Sequence, residues 1–213
     1  MTVTYDDVKK AQETQSKIIR KTSLEFSETF SKICDAKVFL KNEYEQKTGS
    51  FKIRGAYYKI KSLTDEQKSK GVVAASAGNH SQGVAFASNI ENISCTIVMP
   101  RTASPAKVSA TKSYGAKVVL EGSTYDESWE HAQKISAETN ATIIHAFDDS
   151  NVIAGQGVIG LEIIEELPNV DEIYVPIGGG GLVAGIITAV KEKHPHVKII
   201  GVESSAYPAM KKS

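Results

Sequence analysis

The chain has 213 residues, 41% of them hydrophobic and 23% charged, with 25 basic and 25 acidic side chains and a formal net charge of zero. That is enough apolar material for one large domain or two small ones, and the even charge excludes the basic stripe that nucleic acid would require. The first ten residues contain no apolar run, the longest apolar stretches are broken by Gly, Lys or Glu, and Cys34 and Cys95 fall outside any C-x-x-C spacing. These features predict no secretory leader, no membrane helix and two reduced thiols in a cytoplasmic protein, with Cys95 in the core.

In chain order, β-rich runs are predicted at 37–41, 71–75, 95–99, 117–120, 142–146, 172–176 and 198–202. Helical patterns are predicted at 51–62, 81–89, 105–114, 123–139, 151–167 and 182–193. The alternation indicates an α/β protein with a mostly parallel sheet, in which ligands bind where strand ends meet helix starts. Three such places carry informative residues.

The first is Lys47-Thr-Gly-Ser-Phe-Lys-Ile-Arg-Gly55. Ser50 is expected to cap the helix and Gly49 to allow a sharp entry, which puts Lys52 in the first turn. A cation is unfavourable there, and with Arg54 nearby the Lys52 amine should lose its proton more easily, as an imine-forming amine must. The residues alone are equally consistent with a solvated lysine. The second is Ser76-Ala-Gly-Asn-His-Ser81, where small and polar residues open a helix. Their N–H groups can hold a carboxylate and Asn79 can donate to an oxyanion, unless the cluster is an ordinary helix cap. His80 reads as a structural group, because no other His or Cys stands at metal-ligand spacing. His194 and His196 flank Pro195 in a predicted surface turn. The third is Gly178-Gly-Gly-Gly181, running from a strand into a helix. Successive glycines let backbone N–H groups close on a phosphate. Gly179, Gly181 and Ala184 also fit the dinucleotide fingerprint G-x-G-x-x-A, with Glu203 as the ribose-binding acid, so this junction by itself leaves two readings open.

Taken together and in this order, 47–57, 76–84 and 176–185 resemble the pyridoxal-phosphate enzymes of fold type II, the group similar to the tryptophan synthase β chain, and among them the threonine/serine dehydratases, or threonine ammonia-lyases. Supporting similarity lies at 99–107, 114–118, 151–160 and 201–210. The resemblance implies two open-sheet α/β domains with mostly parallel strands and pyridoxal 5'-phosphate in the cleft between them. Residues 1–60 and 141–213 would form the large domain, and 61–140 the small domain carrying the Asn79 loop. It implies Lys52 as the Schiff-base lysine, Phe51 beside the pyridine ring, and Asn79 on the ring 3'-oxygen. Gly178, Gly179, Gly180, Gly181 and Leu182 would hold the phosphate, and Ser76, Ala77, Gly78, Asn79 and His80 the substrate carboxylate.

The implied activity is β-elimination: L-threonine to 2-oxobutanoate and ammonia, and L-serine to pyruvate and ammonia. The alternatives are a serine racemase of the same fold or a non-catalytic phosphate-binding chain. Racemases resembling this family carry a serine immediately before the Gly-Asn pair. Here that position is Ala77, whose methyl can neither give nor take a proton. The implied partners are an amino-acid substrate and like subunits in a homodimer or homotetramer, in cytoplasmic amino-acid metabolism such as isoleucine biosynthesis, with neither nucleic acid nor membrane. Some relatives bind a cation through a Glu after the last strand and an Asp six residues later. Glu203 matches the first position and Ala209 occupies the second, so no metal is expected. Family chains run about half as long again, so the sequence reads as a fragment.

Overall fold

A computed structural model describes residues 2–206 and 208–212. Helix α1 (Tyr5–Gln15) starts at Thr4, whose hydroxyl accepts from the Asp7 N–H while Asp7 reaches back to Thr4, a reciprocal cap. Next, β1 (Leu24–Phe26), α2 (Glu28–Cys34) and β2 (Phe39–Lys41) fold as a unit, with β1 and β2 antiparallel and Phe26 opposite Phe39. A 3₁₀ turn (Glu43–Glu45) leads to α3 (Lys52–Lys61) and α4 (Asp65–Lys70).

Four parallel strands follow: β3 (Val72–Ala75), β4 (Cys95–Met99), β5 (Lys117–Leu120) and β6 (Thr142–Ile143), in the spatial order β5-β4-β3-β6. The connections between them are α5 (Asn79–Ile90), α6 (Pro105–Ser113) and α7 (Tyr125–Thr139). All four residues of β3 are buried, as a strand covered on both faces requires. Cys95 lies in this core, and burial pushes its thiol up to about 12.

Helix α8 (Ser150–Glu166) begins at Asp149, whose carboxylate accepts from the Asn151 and Val152 N–H groups. Strand β7 (Glu172–Pro176), α9 (Gly181–Lys191) and β8 (Lys198–Val202) follow, β7 and β8 being parallel, and α10 (Ala209–Lys212) comes last. Buried over most of its length, α8 packs against α1, α3 and α9. Its contact with α3 is backbone on backbone: a Cβ on Gly155 would lie 2.7 Å from Gly55 Cα and 2.8 Å from the Arg54 carbonyl oxygen.

The predicted α/β alternation matches these elements, with three differences. Helices α1, α2 and α4 and strand β1 lie outside the predicted runs, being short or weakly patterned. The run at 37–41 forms an antiparallel strand only from Phe39. The strand expected over 142–146 ends at Ile143, because His145 Nδ1 accepts from the Phe147 and Asp148 N–H groups and turns the chain. Among the described residues, no helix is long and apolar enough to cross a membrane.

Candidate active site

The lysine turn begins at Gly49, with φ of 71°. Ser50 does not cap α3 as the sequence suggested. Phe51 occupies the N-cap position without a side-chain bond, and the hydroxyls of Thr48 and Ser50 are buried without partners. Lys52, in the first turn, donates through Nζ to the Ala146 carbonyl at 2.8 Å, and Nζ lies 5.3 Å from the centre of the Phe51 ring. Its proton affinity is below that of an ordinary lysine, as expected, but the cause is different. Burial disfavours the charged amine. Arg54 is not a neighbouring uncompensated charge, because Glu43 and Glu162 both pair with it.

The second junction runs from β3 into α5. Gly78 is the N-cap residue and no side chain caps the helix. Ser76 Oγ accepts from the Gly78 N–H at 3.2 Å, and Ser81 Oγ donates to the Gly78 carbonyl at 2.5 Å. Ser76, Ala77 and Gly78 are half-buried and Asn79 is exposed. His80 is only 3% exposed. Its Nε2 donates to the Ile144 carbonyl at 2.9 Å, which leaves Nδ1 as a bare acceptor, buried and without a partner. Burial holds the ring neutral, with its pKa lowered to about 4. One turn along, Gly83 brings α5 against the lysine turn, since a Cβ there would meet the Ile53 nitrogen at 3.1 Å and the Lys52 carbonyl carbon at 3.2 Å.

The third junction joins β7 to α9. Gly178 and Gly179 are exposed, Gly180 has φ of 85°, and Gly181 begins the helix. A Cβ on Gly178 would meet nothing within 4 Å; one on Gly179 would strike the Phe147 ring, and one on Gly181 would lie 2.6 Å from the Phe147 carbonyl oxygen. Leu182 packs into the core shared by α1, α8 and α9. Glu203, weighed as a ribose acid or cation ligand, is engaged otherwise. Its two oxygens accept from the Met210 N–H at 2.8 Å and the Lys211 N–H at 3.0 Å. Among the described residues, no group of His, Cys, Asp and Glu is arranged to hold a metal ion.

The sequence reading missed the segment that joins these places. Within 144–147, the Ile144 carbonyl takes His80, the Ala146 carbonyl takes Lys52, and Phe147 lies over Gly179 and Gly181. His145, between them, packs edge-on to Trp129 and Phe147, and burial lowers its pKa. The available signal was positional: a fourth strand-to-helix junction, between β6 and Asp149.

The arrangement thus offers a half-buried amine with weakened proton affinity, a glycine run at a helix start, and buried hydroxyl and imidazole atoms without protein partners. A small anionic carbonyl compound suits such a set: the helix start and bare N–H groups take the anion, and the amine takes the carbonyl. The model of the family described as "pyridoxal-phosphate dependent enzyme" matches residues 15–213. An L-threonine ammonia-lyase of Thermotoga maritima is 50% identical over 208 residues, covering 98% of this chain and 52% of the relative. The chain therefore spans about half the length of such curated relatives. Among solved structures, maize serine racemase superposes with a TM-score of 0.93 at 36% identity, covering 95% of this chain and 62% of that one. The processed form of threonine deaminase isoform 2 from Solanum lycopersicum gives 0.88 at 38% identity, covering 95% and 58%. With a family match over nearly its whole length, and a glycine run and half-buried amine that suit the family's cofactor, this chain belongs to the pyridoxal-phosphate dependent enzymes.

Proposed function

We propose that the chain carries the cofactor-anchoring part of an ammonia-lyase acting on L-threonine and L-serine, with Lys52 as the cofactor lysine. The supporting observation is that adjacent residues, Ala146 and Phe147, touch the Lys52 amine and the glycine run, so one short segment joins amine and anion cradle. The names of the curated relatives point the same way. The proposed division puts residues 1–60 and 141–213 in one unit and 61–140 in the other, with β6 pairing to β3 just beyond the boundary.

The donor set fits pyridoxal phosphate. Gly178 to Gly181, with the start of α9 and Leu182, would hold the phosphate; Phe51 would lie beside the ring; Asn79 would donate to the ring oxygen. When bound, the cofactor supplies an electron sink for the bond broken at the substrate α-carbon. The Lys52 amine, already weakened as a base for protons in bulk water, takes and holds the α-proton. The N–H groups of Ala77, Asn79 and His80, at the start of α5, would receive the substrate carboxylate; those of Ser76 and Gly78 are taken by the Val98 carbonyl and Ser76 Oγ. The His80 ring, neutral and buried, ties the start of α5 to the Ile144 carbonyl. The β-hydroxyl is protonated as it goes and departs as water; water then hydrolyses the released enamine to 2-oxobutanoate from threonine, or pyruvate from serine, and ammonia.

Serine racemase is the competing reading, since such enzymes share the fold. Ala77 favours elimination: it is half-buried against the core, and its methyl offers no proton to the face opposite Lys52. The test is to incubate the full-length enzyme that carries these 213 residues with pyridoxal phosphate, reduce with borohydride and map the labelled peptide, then assay products from L-serine. Label on Lys52 and pyruvate in excess of D-serine are expected. Label on another lysine, or D-serine formed as fast as pyruvate, would overturn the reading.

A further inference from the structure

The first turn of α3 carries Lys52, yet nothing caps it. Phe51 makes no capping bond, and the Thr48 and Ser50 hydroxyls are without partners. An uncapped first turn frays unless something else holds it. The hold lies two residues on, across the helix from Lys52. The Arg54 side chain has no exposed surface. Its Nε and Nη2 donate to the two oxygens of Glu43, each at 2.8 Å. Its Nη1 and Nη2 donate to the two oxygens of Glu162, at 2.7 and 2.9 Å.

Both carboxylates are anchored in turn: Glu43 accepts from Thr22 Oγ1 at 2.7 Å, and Glu162 pairs with Lys41 Nζ at 2.8 Å. The guanidinium therefore ties α3 to the turn after β2 and to α8. At the same level, Gln15 Nε2 donates to the Arg54 carbonyl at 3.0 Å, and Gly55 and Gly155 bring the two helix backbones together. A buried, doubly forked ion pair of this kind tolerates little rotation of the helix that carries it.

We propose that Arg54, clamped between Glu43 and Glu162, is the positioning residue for the Lys52 amine: the clamp replaces the missing helix cap and sets where Nζ meets the Ala146 carbonyl. The functional weight of this rests on Lys52 being the cofactor lysine, but the geometry can be tested without cofactor. Trace acetylation with acetic anhydride over a pH series, followed by peptide mapping, gives a labelling profile for Lys52 and for exposed Lys107 in the same sample.

Glu43→Ala and Arg54→Lys should each move the Lys52 profile to higher pH, towards that of Lys107, as the amine leaves the Ala146 carbonyl for water. Glu43→Gln retains an acceptor for Arg54 and should restore most of the original profile. Lys59→Met breaks the 2.6 Å pair with Asp149 farther along the same helix. It should lower the melting temperature and leave the Lys52 profile in place. Glu43→Ala and Arg54→Lys profiles that coincide with the parent chain, or a Lys59→Met shift as large as theirs, would overturn the proposal. Absence of borohydride label on Lys52 would instead refute the cofactor reading, so the two failures are separable.

Discussion

At Gly178 and Gly179 the same added methyl has different consequences. Gly178 is exposed, and a Cβ there faces open space. Gly178→Ala should therefore leave the fold at its parent melting temperature while narrowing the cradle, and the loss should appear in titrations with pyridoxal phosphate. Gly179→Ala drives a methyl into the Phe147 ring and should cost roughly 1–3 kcal/mol of stability, the usual range for overpacking. Gly179→Asp, which from the sequence would be read as simple repulsion of a phosphate, confounds charge with that collision. If Gly178→Ala melts as low as Gly179→Ala, the space beside Gly178 is not open as described. The sequence identified Gly178 to Gly181 and Lys52 because each stands at a motif with local meaning. It did not reveal Phe147, since nothing local to an aromatic after a short strand says which distant backbone it will cover.

Among the elements, α8 is the common support. Its Gly155 meets α3 at Gly55, and its Gly157 meets α9 at Gly185, where a Cβ would lie 2.7 Å from the Gly185 carbonyl oxygen. Gly155→Ala would push α3 away at the level of Arg54 and should destabilise the chain by about 1–3 kcal/mol, read as a lower midpoint in urea at unchanged slope. A stability equal to the parent would mean that α3 and α8 do not pack as closely as described. The helix itself was legible from its length and apolar content, and its two contact faces were not. Gly155 and Gly157 in a helical pattern read only as weak helix formers until the partners are known. Strand β1 and helices α1, α2 and α4 were missed for a related reason: they are three to eleven residues long and take their stability from neighbours.

On the scale of the whole molecule, the neutral His80 makes stability depend on pH. Its folded-state pKa, about 4, lies below the ordinary 6.5. As pH falls through about 6.5 the unfolded chain takes up a proton that the folded chain refuses until about 4, so stability is lost across that window and not above it. The loss approaches roughly 3 kcal/mol, and His145, also held low by burial, adds in the same direction. Urea unfolding at the two ends of the window should show this loss, and His80→Gln should flatten it; an equal slope in that variant would count against the buried neutral ring. The 144–147 segment has a further consequence. Because it holds the Lys52 amine through one residue and rests on the glycine run through the next, adjacent residues connect the two sites. An anion on the glycines whose displacement of Phe147 reaches the Ala146 carbonyl changes the proton affinity of Lys52, and by thermodynamic reciprocity protonating Lys52 then changes the affinity for that anion by the same factor.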